Sequence, residues 1–182
     1  VRNSTYDFVS TGYSISVTIT AACTDPDDGG GITASQSICS GDDPAEFTNT
    51  ELPSGHSGTL EYKWQYSTSD SPYDWNDILS SDSEAYDDNT TLTADRWYKR
   101  LARVDCSADW NGAASSNILK VTVIDSGTDI TWNGLGTANN WDDPDNWDLG
   151  YVPLPCNNVI IPDITTTGNY YPIITSFDAV CN

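Results

Sequence analysis

Side chains able to do chemistry crowd into one stretch, TWNGLGTANNWDDPDNWDLGYVPLP, residues 131 to 155. Trp132, Trp141 and Trp147 stand there among Asp142, Asp143, Asp145, Asn146 and Asp148. Flat indole faces stack on pyranose rings while Asp and Asn bind hydroxyls, so the three tryptophans are candidate glycan-binding residues. Clustered carboxylates are also the hard oxygen donors that calcium prefers, which makes Asp142, Asp143, Asp145 and Asp148 candidate metal ligands, together with Asp25, Asp27 and Asp28. The other reading of the same residues is structural. Asn and Asp beside Pro144 and Gly134 are what tight turns use, and the rings would then cap the end of a module. That cap is the reading preferred here.

Neither metal candidate fits a known loop. DPDDGGGITASQ opens like an EF-hand, but Gly29 and Gln36 occupy its fifth and twelfth positions, so the bidentate acid is missing. Calcium is the one cofactor the sequence leaves open. Catalysis has less to stand on. Gly55-His56-Ser57-Gly58-Thr59 fails the G-x-S-x-G pattern, and a triad needs its base presented from a separate element, whereas the single histidine adjoins the serine. Carboxylate pairs carry no information among 27 acidic residues. The chain is read as a non-enzyme, and His56 as part of a hairpin loop. Two sequons, at Asn3 and Asn89, are expected by chance in so Ser/Thr-rich a sequence.

Seven basic residues against the 27 acids give a net charge of −20, which repels nucleic acid and anionic membranes alike. No apolar run reaches the roughly 20 residues that would span a bilayer, so direct membrane insertion is not expected. Five cysteines without a C-x-x-C read as disulfides of an oxidising compartment, with one left free, joined to another chain, or parted from its partner.

The elements that must position these groups are strands. Ser, Thr, Asp, Asn and Gly alternate with Val, Ile, Tyr and Trp, an all-β profile. Ile15, Val17 and Ile19 alternate in the opening stretch, and RVDCSADWNGAASSNILKVTVI ends in the same order of strand, polar turn and strand, which suggests that residues 1–24 are the tail of a preceding repeat. Residues 25–31 read as a linker. SQSIC, AEFTNT, TLEYKWQYS, WNDILS, EAYDD, RWYKRLARV and NILKVTVI then give seven short strands over 32–125, the pattern of a β-sandwich. Leu60, Tyr62, Trp64 and Tyr66 share one face, with Trp64 where an immunoglobulin-like third strand buries its tryptophan. Tyr98 matches a tyrosine corner, but Arg100 stands where an antibody domain has its second cysteine.

Together SQSICSGDDPAEF, YKWQYSTSDSPYDWNDI, the EAY turn, WYKRLARVDCS and SSNILKVTV resemble the immunoglobulin-like repeats of large secreted and surface proteins, including adhesins, of the Bacteroidetes. The resemblance covers roughly residues 31 to 125 and implies an immunoglobulin-like β-sandwich flanked by partial β modules. It implies a disulfide between Cys39 and Cys106. WNG, NNWDDPDNW, YVP, NNVIIP, YYPII and AVCN, within 126–182, resemble the start of a second β-rich module, in which Cys156 would pair with Cys181 and leave Cys23 over. Both ends are then expected to cut through domains. The function so implied is that of a structural and adhesive segment of an extracellular, cell-surface tandem-repeat protein or filament, with neighbouring domains or identical subunits as partners. The alternatives are a carbohydrate-binding or accessory module of a secreted polysaccharide-degrading enzyme, for which surface glycans would be the partner, and a filament subunit polymerising by strand exchange.

Overall fold

The structure, a computed structural model, describes residues 4–10, 13–19, 23–163 and 170–175. Twelve strands follow in order: β1 (Ser4–Ser10), β2 (Tyr13–Ile19), β3 (Gly31–Ile32), β4 (Gln36–Cys39), β5 (Asn49–Glu51), β6 (Leu60–Ser67), β7 (Asn76–Asp77), β8 (Arg96–Val104), β9 (Ala114–Ser115), β10 (Leu119–Ile124), β11 (Thr128–Thr131) and β12 (Asn157–Ile160). The only helical element among the described residues is a 3₁₀ turn, Pro144–Asn146. The protein is all-β, as its composition dictates. It divides into two compact units, one of 1–34, 46–87 and 97–120, the other of 35–45, 88–96 and 121–182.

In the first unit β1 and β2 form an antiparallel hairpin. The main sheet is built on β6 and β8, paired antiparallel from Leu60 opposite Val104 to Ser67 opposite Trp97. β7 extends it beside Gln65 and Tyr66, while β9 pairs with β8 at Leu101 and Ala102. Because directly opposed residues share a face, Trp64 and Tyr98 turn inward with Arg100 and Ala102, and Lys63, Lys99, Leu101 and Arg103 turn outward.

The inner face carries an aromatic core. Phe47, Trp64 and Tyr98 are fully buried, with Phe47 centred 4.7 Å from Tyr98 and 5.8 Å from Trp64. The Trp64 indole N–H donates to the Ser83 carbonyl at 3.0 Å. Beside this core the Arg100 guanidinium is buried without a carboxylate. Its Nη1 donates to Asn49 Oδ1 on β5 and to the Glu84 carbonyl at 2.9 Å, and its Nη2 to the Gly29 carbonyl at 3.2 Å. The group lies 4.9 Å from the Tyr62 ring. Burial pulls its pKa below the usual arginine range. One cation thus fastens the sheet, the β3–β5 ribbon and the Glu84 turn.

Residues 23–31 are knitted into this unit. Thr24 and Ser57 exchange backbone hydrogen bonds, as do Asp28 and Ser54. Gly29 packs so closely that a Cβ there would lie 2.3 Å from the Ser115 carbonyl carbon, a position no other residue can take unchanged.

In the second unit β4 runs parallel to the last four residues of β10, from Gln36 opposite Val121 to Cys39 opposite Ile124. β11 and β12 form a second parallel pair, from Thr128 opposite Asn157 to Thr131 opposite Ile160. Asp95 Oδ1 accepts from the Val123 N–H at 2.9 Å, which ties the start of β8 to β10.

The disulfides differ from the pairing implied by the resemblance. Cys23 joins Cys106 within the first unit and Cys39 joins Cys156 within the second, with Cα separations of 6.0 and 5.8 Å. Cys39 therefore does not bond Cys106, nor Cys156 Cys181, which lies outside the described residues. The reason is positional: the turns at 23–28 and 54–58 place Cys23 against the end of β8, while β4 follows β10 in parallel and carries Cys39 toward the β11–β12 module.

Candidate functional site

The tryptophan cluster is a core. Trp132 is 1% exposed and Trp141 and Trp147 are 2% exposed, packed with Ile130. Their rings meet edge to face, Trp147 centred 5.1 Å from Trp132 and 4.8 Å from Trp141. Trp147 Nε1 donates to the Trp141 carbonyl and Trp132 Nε1 to the Tyr170 carbonyl, both at 2.9 Å. The expectation that these three rings bind glycan fails on this burial, because no indole face is open to a sugar.

The Asn and Asp side chains around them shape the loop. Asn146 is fully buried; its Nδ2 donates to the carbonyls of Ala138 and Asn140, and its Oδ1 accepts from the Gly136 N–H at 2.8 Å. Asn157, 1% exposed, donates to the Thr128 carbonyl and the Tyr151 hydroxyl and accepts from the Leu154 N–H. Asp143 caps the 3₁₀ turn by accepting from the Asp145 N–H, and Asp148 Oδ1 accepts from the Thr131 N–H at 2.9 Å. Each of these side chains bonds a backbone group of the loop, Asn146 and Asn157 from buried positions.

The calcium candidates are used in the same way. Asp25 Oδ1 accepts from the Val104 N–H at 2.9 Å and the Ser107 hydroxyl at 2.6 Å. Those two bonds, Ser107 first, hold the Asp25 carboxyl below the usual range. Asp28 accepts from the Gly30 N–H, and the Asp27 side chain packs against Gly55. Among the described residues no three His, Cys, Asp or Glu side chains gather as a metal would need. Asp142, Asp143, Asp145 and Asp148 therefore form no shared oxygen cage. His56 and Ser57 lie on an exposed turn that bridges to residues 24–28 and joins β5 to β6; those strands belong to different sheets, so the turn is not the hairpin loop expected.

A surface that the sequence reading passed over lies on the outer face of β6, β8 and β10. Four of the seven basic residues point there, each over an indole: Lys63 and Arg103 over Trp110 at 4.7 and 4.5 Å, Lys99 over Trp75 at 4.4 Å and Lys120 over Trp97 at 5.3 Å. Tyr73 stacks on Trp75, centroids 5.0 Å apart. Glu61 pairs with Arg103 at 2.8 Å and Asp77 with Lys63 at 2.9 Å. Gln65, and after it Lys63, holds the Asp77 carboxyl below its ordinary value, while burial beneath the rings pulls Lys99 down. The signal was present in RWYKRLARV, where Trp97, Lys99, Leu101 and Arg103 alternate onto one side. The other side of the same strand, with Tyr98 and Arg100, carries the fold.

This face ends in a cleft of about 330 Å³ lined by Tyr62, Lys63, Asp77, Trp110 and the 78–82 turn. β7 pairs with Gln65 and Tyr66, and beyond it the 78–81 turn covers the edge of β6, Ile78 N–H donating to the Trp64 carbonyl at 2.9 Å and Ser81 Oγ accepting from the Trp64 N–H at 3.0 Å.

The fold and these surfaces define a disulfide-braced all-β protein with a solvent face of paired cations and aromatics. Residues 28–125 match the family described as Domain of unknown function (DUF8696), and the chain belongs to that family. No curated protein matches the chain.

Proposed function

We propose that this chain is a structural and adhesive segment of an extracellular tandem-repeat surface protein or filament, with an immunoglobulin-like sandwich at its centre. The observation that carries the reading is the covalent bracing. The two bridges close stretches of 83 and 117 residues and interleave along the chain, since Cys39 lies between Cys23 and Cys106 while Cys156 lies beyond both. On the chain-entropy account, a model-dependent one, each would stabilise the fold by about 5 kcal/mol. Disulfides persist in oxidising compartments, and no helix among the described residues is long and apolar enough to cross a membrane. Side chains that might have served chemistry instead serve folding: buried tryptophans, turn-capping carboxylates and bonded cysteines.

Pulling tests the reading. With both bridges intact the shortest covalent path between the ends runs through Cys39–Cys156 and spans roughly 220 Å when extended, against roughly 620 Å for the reduced chain. A load-bearing segment should stop near the shorter length under oxidising conditions. An oxidised chain that lengthens as far as the reduced one would overturn the reading.

A further inference from the structure

The two disulfides are not equivalent under tension. Between Cys23 and Cys156 the chain offers two covalent routes. One follows 24–38 and crosses at Cys39–Cys156, reaching roughly 60 Å when extended; the other crosses at Cys23–Cys106 and follows 107–155, reaching roughly 180 Å. A pull on the ends draws the first route taut and leaves the second slack, at about a third of its reach. A flexible chain that far from full extension pulls back only weakly. Tension therefore falls on Cys39–Cys156 and spares Cys23–Cys106.

That division sets the order in which a reductant opens them. In thiol–disulfide exchange the thiolate of a dithiol attacks one bridge sulfur, the S–S bond breaks, and the other cysteine leaves as a thiolate that takes a proton from water. The second thiol of the reductant, as its thiolate, then attacks the mixed disulfide, frees the first cysteine and leaves the reductant oxidised to its own disulfide. Because the S–S bond lengthens along the path to its cleavage, tension on a bridge speeds the exchange there. Once Cys39–Cys156 is open, the shortest path between the ends runs through 1–23 and 106–182 and stops at roughly 340 Å, with Cys23–Cys106 now taut.

We propose that the interleaved bridges form a redox-gated extender with two stages. Under load a dithiol reductant opens Cys39–Cys156 first, lengthening the segment from roughly 220 to roughly 340 Å, and only then opens Cys23–Cys106, releasing it to roughly 620 Å. Cys39–Cys156 is the gate and Cys23–Cys106 its reserve. The inference deepens the structural reading and rests on it for its biological sense. The two fail separately: that reading is decided by where the oxidised chain stops before any reductant is added, this one by the order of the steps that follow.

The test holds the full oxidised chain by its ends at a constant load that unfolds it and then admits dithiothreitol. The chain should lengthen in two steps, by roughly 120 Å and then by roughly 280 Å, the first arriving sooner as the load is raised. The double variant Cys23→Ser/Cys106→Ser should lengthen in a single step of roughly 400 Å, and Cys39→Ser/Cys156→Ser should start from roughly 340 Å. These lengths depend on the remaining bridge, verified by peptide mapping, and not on whether a variant refolds. A single step to full length in the unaltered chain, or a first step whose rate ignores the load, would overturn the proposal.

Discussion

Two sets of aromatic rings divide this molecule. Trp132, Trp141 and Trp147 are sealed inside the second unit, whereas Tyr73, Trp75, Trp97 and Trp110 lie on the outer sheet face of the first with lysines and arginines over them. The residue types are the same. What differs is their neighbours: buried Asn146 and Asn157 fold a loop over one set, while strands that alternate cation and ring hold the other at the surface. Richness in tryptophan therefore locates neither a core nor a binding face. The hydrogen-bonding side chains beside the ring decide.

The sharpest way to break this contrast is to truncate one ring of each set. Trp147→Ala should cost about 3–5 kcal/mol and unfold its module, since it removes two edge-to-face contacts and leaves a cavity. Trp75→Ala should cost no more than about 1 kcal/mol, and equal losses in chemical denaturation would abolish the distinction. Next in size, serine replacement of Cys23 or of Cys39 should each cost about 2–5 kcal/mol, and peptide mapping that failed to recover Cys23 joined to Cys106 would refute the pairing.

Arg100→Ala should cost about 3 kcal/mol or more by stripping donors from Gly29, Glu84 and Asn49, with Arg100→Met recovering part of it by refilling the space; equal losses for both would show that the hydrogen-bonded charge, not packing, holds this clasp. The smallest effect concerns acid. The carboxyls of Asp25 and Asp77 titrate below their unfolded values, so the stability they add is present above about pH 4 and is lost as pH falls through the folded values. Asp25→Asn should flatten that part of the melting curve's pH dependence, and an unaltered slope would remove Asp25 from the account.

Much of the fold was legible. Period-two alternation in TLEYKWQYS gave Trp64 its shared face with Leu60, Tyr62 and Tyr66, and the structure buries Trp64; Tyr98, singled out only by its spacing from Leu92, is buried as well. EAYDD, read as a strand, contributes only the Tyr86 bridge to Phe47, because three of its five residues are acids and bends and turns flank it. The disulfide partners were not legible. Cysteine spacing says nothing about which sheet edges meet, and 23–31, whose Gly and Asp suggest a loose linker, is clamped by Asp25 to Val104 and Ser107. The outer surface was half legible: the alternation was there, but nothing in one strand shows that Trp75 and Trp110 from distant loops come to lie beneath the cations of β6 and β8.

The sequence by itself determined the strand content, the two faces of the central strands, the acidity and the oxidisable cysteines, because each follows from local composition and a period of two. Tertiary structure alone decided which cysteines meet, which tryptophans are sealed and where the cleft opens. Those depend on contacts between segments far apart in the chain, and one side chain such as Asn146, or Arg100 through its two Nη groups, bonded to carbonyls it could not have named in advance, selects among the ways of closing them.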